Sequence, residues 1–407
     1  MKNKSIWIIN QYTGSNKHGQ QTRFYHIGKE LIKEGYHVSI ISGSYSHQFT
    51  KQPIAKKIIT KEKINELNYY WIKTIPYKNP AGIKRFINMI IFSINLNLMF
   101  FKKIKKPNII IISVPSLFPI LNALLFKLLY KSKIILDVRD LWPLTFIKLH
   151  NYSKLHPLII TFLILEKIAY KYSDKVISTL NNSWKYMVKH GLKKDNFIYT
   201  PIGFEKDNYK ITKPKNNILE NLKNKKQIKI GYIGSITKAN NIENLLNTAK
   251  QLNQNKNFIF IIIGDGAEKN NIVKKYKKYE NIKFFNKVKH IDVPFYMNEC
   301  DILYKGNLNN ELYKYGISPL KLIEYMYAQK IIIHATNIEN DPVQEAKCGF
   351  SIESQNSTQL EDCIIAISKM NEETKKTYGK NGKEFVLKNY NYTNITKSLI
   401  TTINSIK

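Results

Sequence analysis

Apolar runs of strand length alternate with stretches of helical periodicity along most of the 407 residues, and the alternation starts afresh near the middle. Such alternation marks parallel sheets with crossover helices, because parallel strands cannot be joined by a tight turn. The first series reads as strands near Ser5–Asn10, His37–Ser42, Asn108–Ser113, Lys133–Val138 and Lys175–Thr179. The second opens with Ile228-Lys-Ile-Gly-Tyr-Ile-Gly234 and continues through Phe258–Ile263, Ile282–Phe285, Asp301–Tyr304 and Lys330–His334. Between them, residues 204–227 are rich in Lys and Asn, contain Pro214 and show little apolar periodicity, as a linker would. This organisation predicts an α/β domain over 1–205, a second over 206–388 and a helical tail over 389–407. A ligand held between two open sheets of this kind meets the carboxyl ends of both sets of strands.

Hydrophobic content of 43% excludes wholesale disorder. The net charge of +34 at first suggests a nucleic-acid binder, yet Arg23, Arg85 and Arg139 are the only arginines. Base readers lean on Arg for bidentate contacts, and none of the usual modules is present. The charge therefore reads as a general Lys/Asn/Ile bias that also draws the chain to anionic lipid, at roughly 1 kcal/mol per basic residue near the surface. Cys300, Cys348 and Cys363 are too few and too far apart for a zinc site or a disulfide framework, and their odd number points to a reducing compartment. The start, Met-Lys-Asn-Lys before Ser5-Ile-Trp-Ile-Ile-Asn10, has too short an apolar run for a signal peptide and reads as a first strand.

Ile87–Phe101 is interrupted by Asn88, Ser93, Asn95 and Asn97 and falls short of the ~20 apolar residues that span a bilayer. Lys84 and Arg85 precede it; Lys102, Lys103, Lys105 and Lys106 follow. It reads either as a helix lying at a membrane surface or as a core helix with charged ends. Leu117–Tyr130 and Pro157–Leu165 read as crossover helices.

Tyr315-Gly-Ile-Ser-Pro-Leu-Lys-Leu-Ile-Glu-Tyr-Met326 puts a Ser318-Pro turn at the start of an amphipathic helix. The first-turn N–H groups of Leu320, Lys321 and Leu322 lack intrahelical partners there, and the helix dipole adds partial positive charge, so the turn suits a diphosphate. Glu324, further in, can accept hydrogen bonds from a ribose beside it. Gln11-Tyr-Thr-Gly-Ser-Asn-Lys-His-Gly19 follows the first strand and leads to a helix containing Arg23, with Gly14 and Gly19 allowing close backbone approach. Its spacing is not that of a dinucleotide fingerprint. Asp137-Val-Arg-Asp-Leu-Trp-Pro143 places Arg139, Asp140 and Trp142 at the carboxyl end of a buried strand, where charges need partners. Gly231-Tyr-Ile-Gly-Ser-Ile-Thr-Lys238 repeats the strand, glycine, polar turn pattern. The nine histidines form no metal spacing.

Asp137–Pro143 and Tyr315–Met326 together resemble the family 4 glycosyltransferases, retaining enzymes of GT-B fold, and most of all the branch that builds bacterial O-antigens and capsules. The resemblance covers nearly the whole chain. It implies two Rossmann-like domains facing each other across a cleft, with a C-terminal helix crossing back to the first. Arg139, Asp140, Lys238 and Glu324 are then the catalytic candidates. The donor would meet Gly14, Gly19, Gly234, Ser235, Lys287, Val288, Lys305, Gly316, Ser318 and Leu320–Leu322 with Glu324; His18, Arg23 and Trp142 would lie on the acceptor side. Departures from the family pattern are Ser235 and Asn240 in place of an Arg and a Lys, Asn286 in place of a Gly, and Gly316 in place of the first of two glutamates.

The activity implied is transfer of a sugar from a nucleotide diphosphate donor, UDP-linked and of hexose or acetamidosugar type, to a polyprenyl-diphosphate-linked oligosaccharide. The setting implied is the cytoplasmic face of the membrane, with the enzyme peripherally bound. No cofactor or metal is expected, since helix dipole and Lys balance the leaving-group charge in enzymes of this kind. Two rival readings are a GT-B sugar-nucleotide 2-epimerase, which needs no acceptor, and a non-enzymatic basic protein binding membrane or nucleic acid.

Overall fold

The computed structural model describes residues 4–19, 21–80, 82–220, 222, 227–318 and 320–406. Pro319 of the helix-start motif and parts of the expected linker, at 221 and 223–226, lie outside the described residues, as does the basic start at 1–3. The chain forms two compact units: Met1–Gly203 with Tyr315–Ser318 and Tyr392–Lys407, and Phe204–Lys314 with Pro319–Asn391. Each is built on a parallel α/β sheet.

The first unit's strands are β1 (Ser5–Ile9), β2 (His37–Gly43), β3 (Ile59–Ile64), β4 (Leu67–Ile72), β5 (Ile109–Ser113), β6 (Lys133–Val138), β7 (Lys175–Ser178) and β8 (Phe197–Tyr199). Their order is β3-β4-β2-β1-β5-β6-β7-β8, with β3 the antiparallel edge. Central strands such as Ile109-Ile-Ile-Ile-Ser113 are buried along their whole length because helices cover both faces. On one face, Met89, Phe92, Ile120, Phe126, Phe162 and Ala169 come from the helices Ile83–Leu96, Pro119–Tyr130 and Pro157–Tyr172. On the other, Phe24, Ile27 and Leu31 of the helix Arg23–Lys33 meet Ile395, Leu399 and Ile403 of the helix Tyr392–Ser405.

The second unit has β9 (Ile228–Ile233), β10 (Phe258–Ile263), β11 (Ile282–Phe285), β12 (Ile302–Gly306), β13 (Ile331–Ala335) and β14 (Gly349–Ile352), ordered β11-β10-β9-β12-β13-β14. In β12 and β13 Lys305 stands opposite His334. The stretch read as a linker is packed where it is described: the Phe204 ring lies tilted against Tyr327 and the Tyr209 ring meets it edge to face, with centroids 4.6 and 4.7 Å away, and the Phe204 N–H donates to the Tyr390 carbonyl at 2.7 Å.

The run Ile83–Phe101 is helical throughout, closing with a 3₁₀ turn, and is long and apolar enough by length and composition to cross a membrane. One side is built into the first unit: Asn88, Met89, Phe92, Leu96 and Met99 are buried, and Asn88 hydrogen-bonds Gln11 and the Ile75 carbonyl. The other side, Ile83, Ile87, Ile90, Ile94, Phe100 and Phe101, is exposed.

Candidate functional site

The second unit gathers several expected residues at the carboxyl end of its sheet. β9 ends at Ile233, Gly234 follows it with φ +154°, and a Cβ there would overlap the Nζ and Cε of Lys321. Glycine is favoured by that φ, which L side chains rarely adopt, and the flexible Lys321 chain, from the helix Leu320–Tyr327, crosses directly over this backbone. Its ammonium donates to the Tyr232 hydroxyl at 2.9 Å and lies 4.7 Å from the centre of that ring, while the hydroxyl donates to the Ser235 carbonyl at 2.6 Å. The same helix is docked on β9 by Tyr325, whose hydroxyl donates to the Ile233 carbonyl at 3.1 Å and accepts from its N–H at 2.8 Å.

Burial lowers the Lys321 amine to about 8, against the opposing pull of Glu324. Lys305, at the end of β12, is lowered further, to about 7, first by burial and then by the charge of Lys321. Its ammonium donates to the Gly306 carbonyl at 2.5 Å and to Asn307 Oδ1 at 2.6 Å, both neutral acceptors. Glu324 is half-buried, with His290 Nε2 3.4 Å from its Oε1, and that hydrogen bond raises His290 above its ordinary value. Two amines and one carboxylate thus share the ground around the Gly234 loop. Leu322 is buried and Leu320 exposed, so the first turn of their helix is open on one side.

Ser235 and Lys238 are both exposed, Lys238 on the short turn Lys238–Asn240 beyond the loop. Lys287 is exposed and Val288 half-buried in the segment after β11. Sequence reasoning missed Lys269, which donates to the Gly264 carbonyl at 3.0 Å and to Asn286 Oδ1 at 2.6 Å and so ties those two loops together. Asn286, standing where relatives have Gly, supplies that acceptor.

Gly316 and Ser318 fall in the first unit. The Tyr315 carbonyl accepts from the Asn182 N–H at 3.0 Å, and the Tyr315 ring packs on Tyr186. Gly316 has φ +105°, and a Cβ there would stand 2.8 Å from the Asn181 nitrogen. A glutamate has no room at that position, which accounts for its absence.

Three acceptor-side expectations are corrected in the first unit. Arg23 is buried in an ion pair, Nη1 to Asp137 Oδ1 at 2.6 Å, and its Nη2 donates to the Thr200 carbonyl at 3.2 Å. Asp137 also accepts from Ser113 Oγ at 2.6 Å, so this first Asp of the motif is structural. His18 is buried against the Trp71 ring at 4.8 Å, with its Nδ1 bonded to Ser15 Oγ, and is neither a solvated loop residue nor presented outward. Trp142 packs inward on Phe146 and Phe162. It also forms one wall of a slot in which the Arg85 guanidinium lies 5.3 Å from its ring centre and 5.6 Å from that of Tyr12. Arg139 bonds Gln21 rather than Asp140, its Nε is buried without a partner, and Asp140 is exposed. Gly14 is buried, its carbonyl accepting from Tyr69, and Gly19 bridges to Phe49. Burial of this loop had no signal in its polar sequence. Among the described residues no group of three or more His, Cys, Asp or Glu is placed to hold a metal ion.

Residues 18–207 match the family model described as Glycosyltransferase Family 4, and residues 215–385 the model described as Glycosyl transferases group 1. The fold is GT-B, with two parallel-sheet α/β domains, and both matched models describe glycosyltransferases. It is 23% identical over 382 residues to an uncharacterised glycosyltransferase of Methanocaldococcus jannaschii, a match covering 89% of this chain and 95% of that one. Among solved structures it is similar to the sucrose-phosphate synthase of Thermosynechococcus elongatus, with TM-score 0.73, 15% identity and 98% of each chain covered. It is also similar to Anabaena HepE in complex with UDP and glucose, with TM-score 0.64, 13% identity, and 99% of this chain and 100% of that one covered. WaaG, a glycosyltransferase involved in lipopolysaccharide biosynthesis, gives TM-score 0.64 at 13% identity, with 98% of this chain and 99% of that one covered.

Proposed function

We propose that the protein transfers a sugar from a UDP-linked donor to a lipid-linked oligosaccharide, with retention of configuration, in the assembly of an O-antigen or capsule. The carrying observation is the cluster of Lys321, Lys305 and Glu324 beside the Gly234 loop. Departure of a nucleoside diphosphate leaves negative charge that must be met at once. Preformed cations and amides in a water-poor site do this best, because they need no rearrangement as the charge develops. Lys321, Lys305 and the amides of Leu320–Leu322 are assigned that role, with no metal invoked, and Glu324 is assigned to the ribose. Burial weakens the charged form of both amines, so an arriving diphosphate draws protons onto them. The donor's identity follows relatives: HepE is recorded with UDP and with UDP-glucose. Arg139 and Asp140 are assigned to the sugar and acceptor.

The membrane assignment rests on the exposed row Ile83, Ile87, Ile90 and Ile94, with Lys84 at one end and Lys102, Lys103, Lys105 and Lys106 at the other. Leu121, Leu125 and Leu128 on the helix Pro119–Tyr130, and Ile160 and Ile164 on the helix Pro157–Tyr172, add exposed apolar side chains on the same covered face of the sheet. An apolar face bordered by Lys suits a bilayer carrying anionic lipid.

Titration of the full chain with UDP, GDP and ADP, and release of UDP from UDP-GlcNAc and UDP-glucose, test the donor reading. UDP is expected to raise the melting temperature, and Glu324→Ala to cut UDP release about 100-fold while leaving the unliganded melting temperature unchanged. Stabilisation by none of the three diphosphates would sink the donor reading; interconversion of UDP-GlcNAc without acceptor would instead make the protein an epimerase.

A further inference from the structure

We infer that Asp341, His334 and Asn307 are positioning residues for Lys305: a buried line of directed hydrogen bonds fixes where its ammonium stands and thereby sets the preference for a diphosphate over a nucleoside. The inference rests on the donor reading above, and the line itself is fixed by geometry. Lys only donates, so the side-chain oxygen of Asn307 faces Lys305 at 2.6 Å and its NH₂ faces the other way. That NH₂ donates to His334 Nε2 at 2.9 Å and to Thr336 Oγ1 at 3.3 Å. A ring nitrogen that accepts carries no proton, so the His334 proton sits on Nδ1 and is donated to Asp341 Oδ1 at 2.8 Å. Asp341 is held in turn by Ser351 Oγ and by the Val343 N–H at 3.0 Å. Burial pushes its carboxyl upward, but the bonds from His334, Ser351 and Val343 outweigh this and keep it below its ordinary value.

The His334 and Asp341 side chains are 0% and 1% exposed, and a buried pair of this kind is seldom the most stabilising filling for a core. Its effect here is orientational. With Asp341 accepting, the ring can present only an acceptor to Asn307, and the amide can present only its oxygen to Lys305. β12 and β13 pair with Lys305 opposite His334, and the line runs from these strand ends through Asn307, just past β12, to Asp341 at the start of the helix Pro342–Glu345. Lys305 makes no ion pair among the described residues, so its charge is oriented by neutral groups and left uncompensated. A cation held in this way is suited to an anion that comes and goes.

Asp341→Asn keeps the shape but exchanges a carboxylate that can only accept for an amide that can turn its NH₂ toward the ring. The His334 proton can then move to Nε2, the Asn307 amide turns over, and an NH₂ group meets the Lys305 ammonium and displaces it. The test is titration of UDP and uridine into the wild-type chain, Asp341→Asn, Lys305→Met and the double variant. Asp341→Asn is expected to weaken UDP about tenfold, the loss of one charge-assisted contact, and to leave uridine within about twofold. The double variant is expected to bind UDP no more weakly than Lys305→Met alone. Equal losses for UDP and uridine, additive losses, or unchanged UDP affinity would each overturn the inference. Should Asp341→Asn not fold, Asn307→Leu gives the same decision: it removes the oxygen that holds Lys305 without adding charge, and is expected to weaken UDP but not uridine. A wild-type chain that binds no nucleoside diphosphate overturns the donor reading and this inference together. One that prefers UDP to uridine, with the preference intact in Asp341→Asn, overturns this inference alone.

Discussion

Gly234 shows how one residue decides what its neighbours can do. Alanine there forces a side chain into backbone that L residues rarely adopt and into the path of Lys321. Gly234→Ala is expected to fold with a loss of about 1–2 kcal/mol and to bind UDP about tenfold more weakly, because Lys321 must leave the Tyr232 hydroxyl. Titration and thermal unfolding of the variant read the two effects separately; unchanged UDP affinity would remove the Gly234 loop from the donor site. At this scale the sequence exposed residue types and spacing but not burial. Glu324, Lys321 and Lys305 could be singled out as candidates because a helix start and a strand end fix their neighbourhood. Arg23, His18 and Trp142 were misread because nothing in a polar loop tells that Asp137, Trp71 or Phe162 closes over them. Asn307, His334 and Asp341 lie up to 34 positions apart in sequence, and only strand pairing brings them into line.

Among the elements, most apolar strands were recovered, whereas β4, buried though it is, and the short or charged β3, β8 and β14 were not. β3 reads Ile59-Thr-Lys-Glu-Lys-Ile64, with its ends buried and Lys61 and Lys63 exposed at a sheet edge, as edge strands tend to be. It pairs with β4 through a tight connection at Asn65, which has φ +53°. β8 has only three residues, and the four-residue β14 closes the other sheet's edge. The helix Ile83–Leu96 resolved differently: the core reading describes its inner face, and the exposed outer face carries the proposed membrane contact. Its inner face is core, so the outer isoleucines can be changed at little cost to stability. The triple change Ile83→Ser, Ile87→Ser and Ile94→Ser is expected to reduce binding to vesicles containing anionic lipid at least about tenfold while leaving the melting temperature nearly unchanged. Sedimentation with such vesicles measures it, and undiminished binding would move the membrane contact elsewhere.

For the molecule as a whole, two α/β series were visible in the alternation of runs and the resemblance implied a C-terminal helix on the first unit, whereas nothing announced that 315–318 would join it. Stability adds up contributions that no motif announces. Glu166 is buried in the first unit and accepts from the Tyr170 and Tyr186 hydroxyls at 3.1 and 3.0 Å. Burial, only partly offset by those bonds, raises it to about 8, while the unfolded chain's glutamate titrates near 4.3. Between those values the folded protein holds a proton that the unfolded chain has released. Its contribution is therefore full below about 4.3 and is lost as pH rises towards about 8, by at most about 1.4 kcal/mol per unit. Glu166→Gln is expected to melt progressively higher relative to wild type as pH is raised from 5 to 8. A constant difference across that range would show that the carboxyl is already ionised in the folded state.

The helix Tyr392–Ser405 supplies Ile395, Leu399 and Ile403 to the core beneath the helix Arg23–Lys33. During synthesis on the ribosome, the unit that begins the chain must wait with that face bare until residues 392–405 have been made, so the half translated first is among the last to be finished.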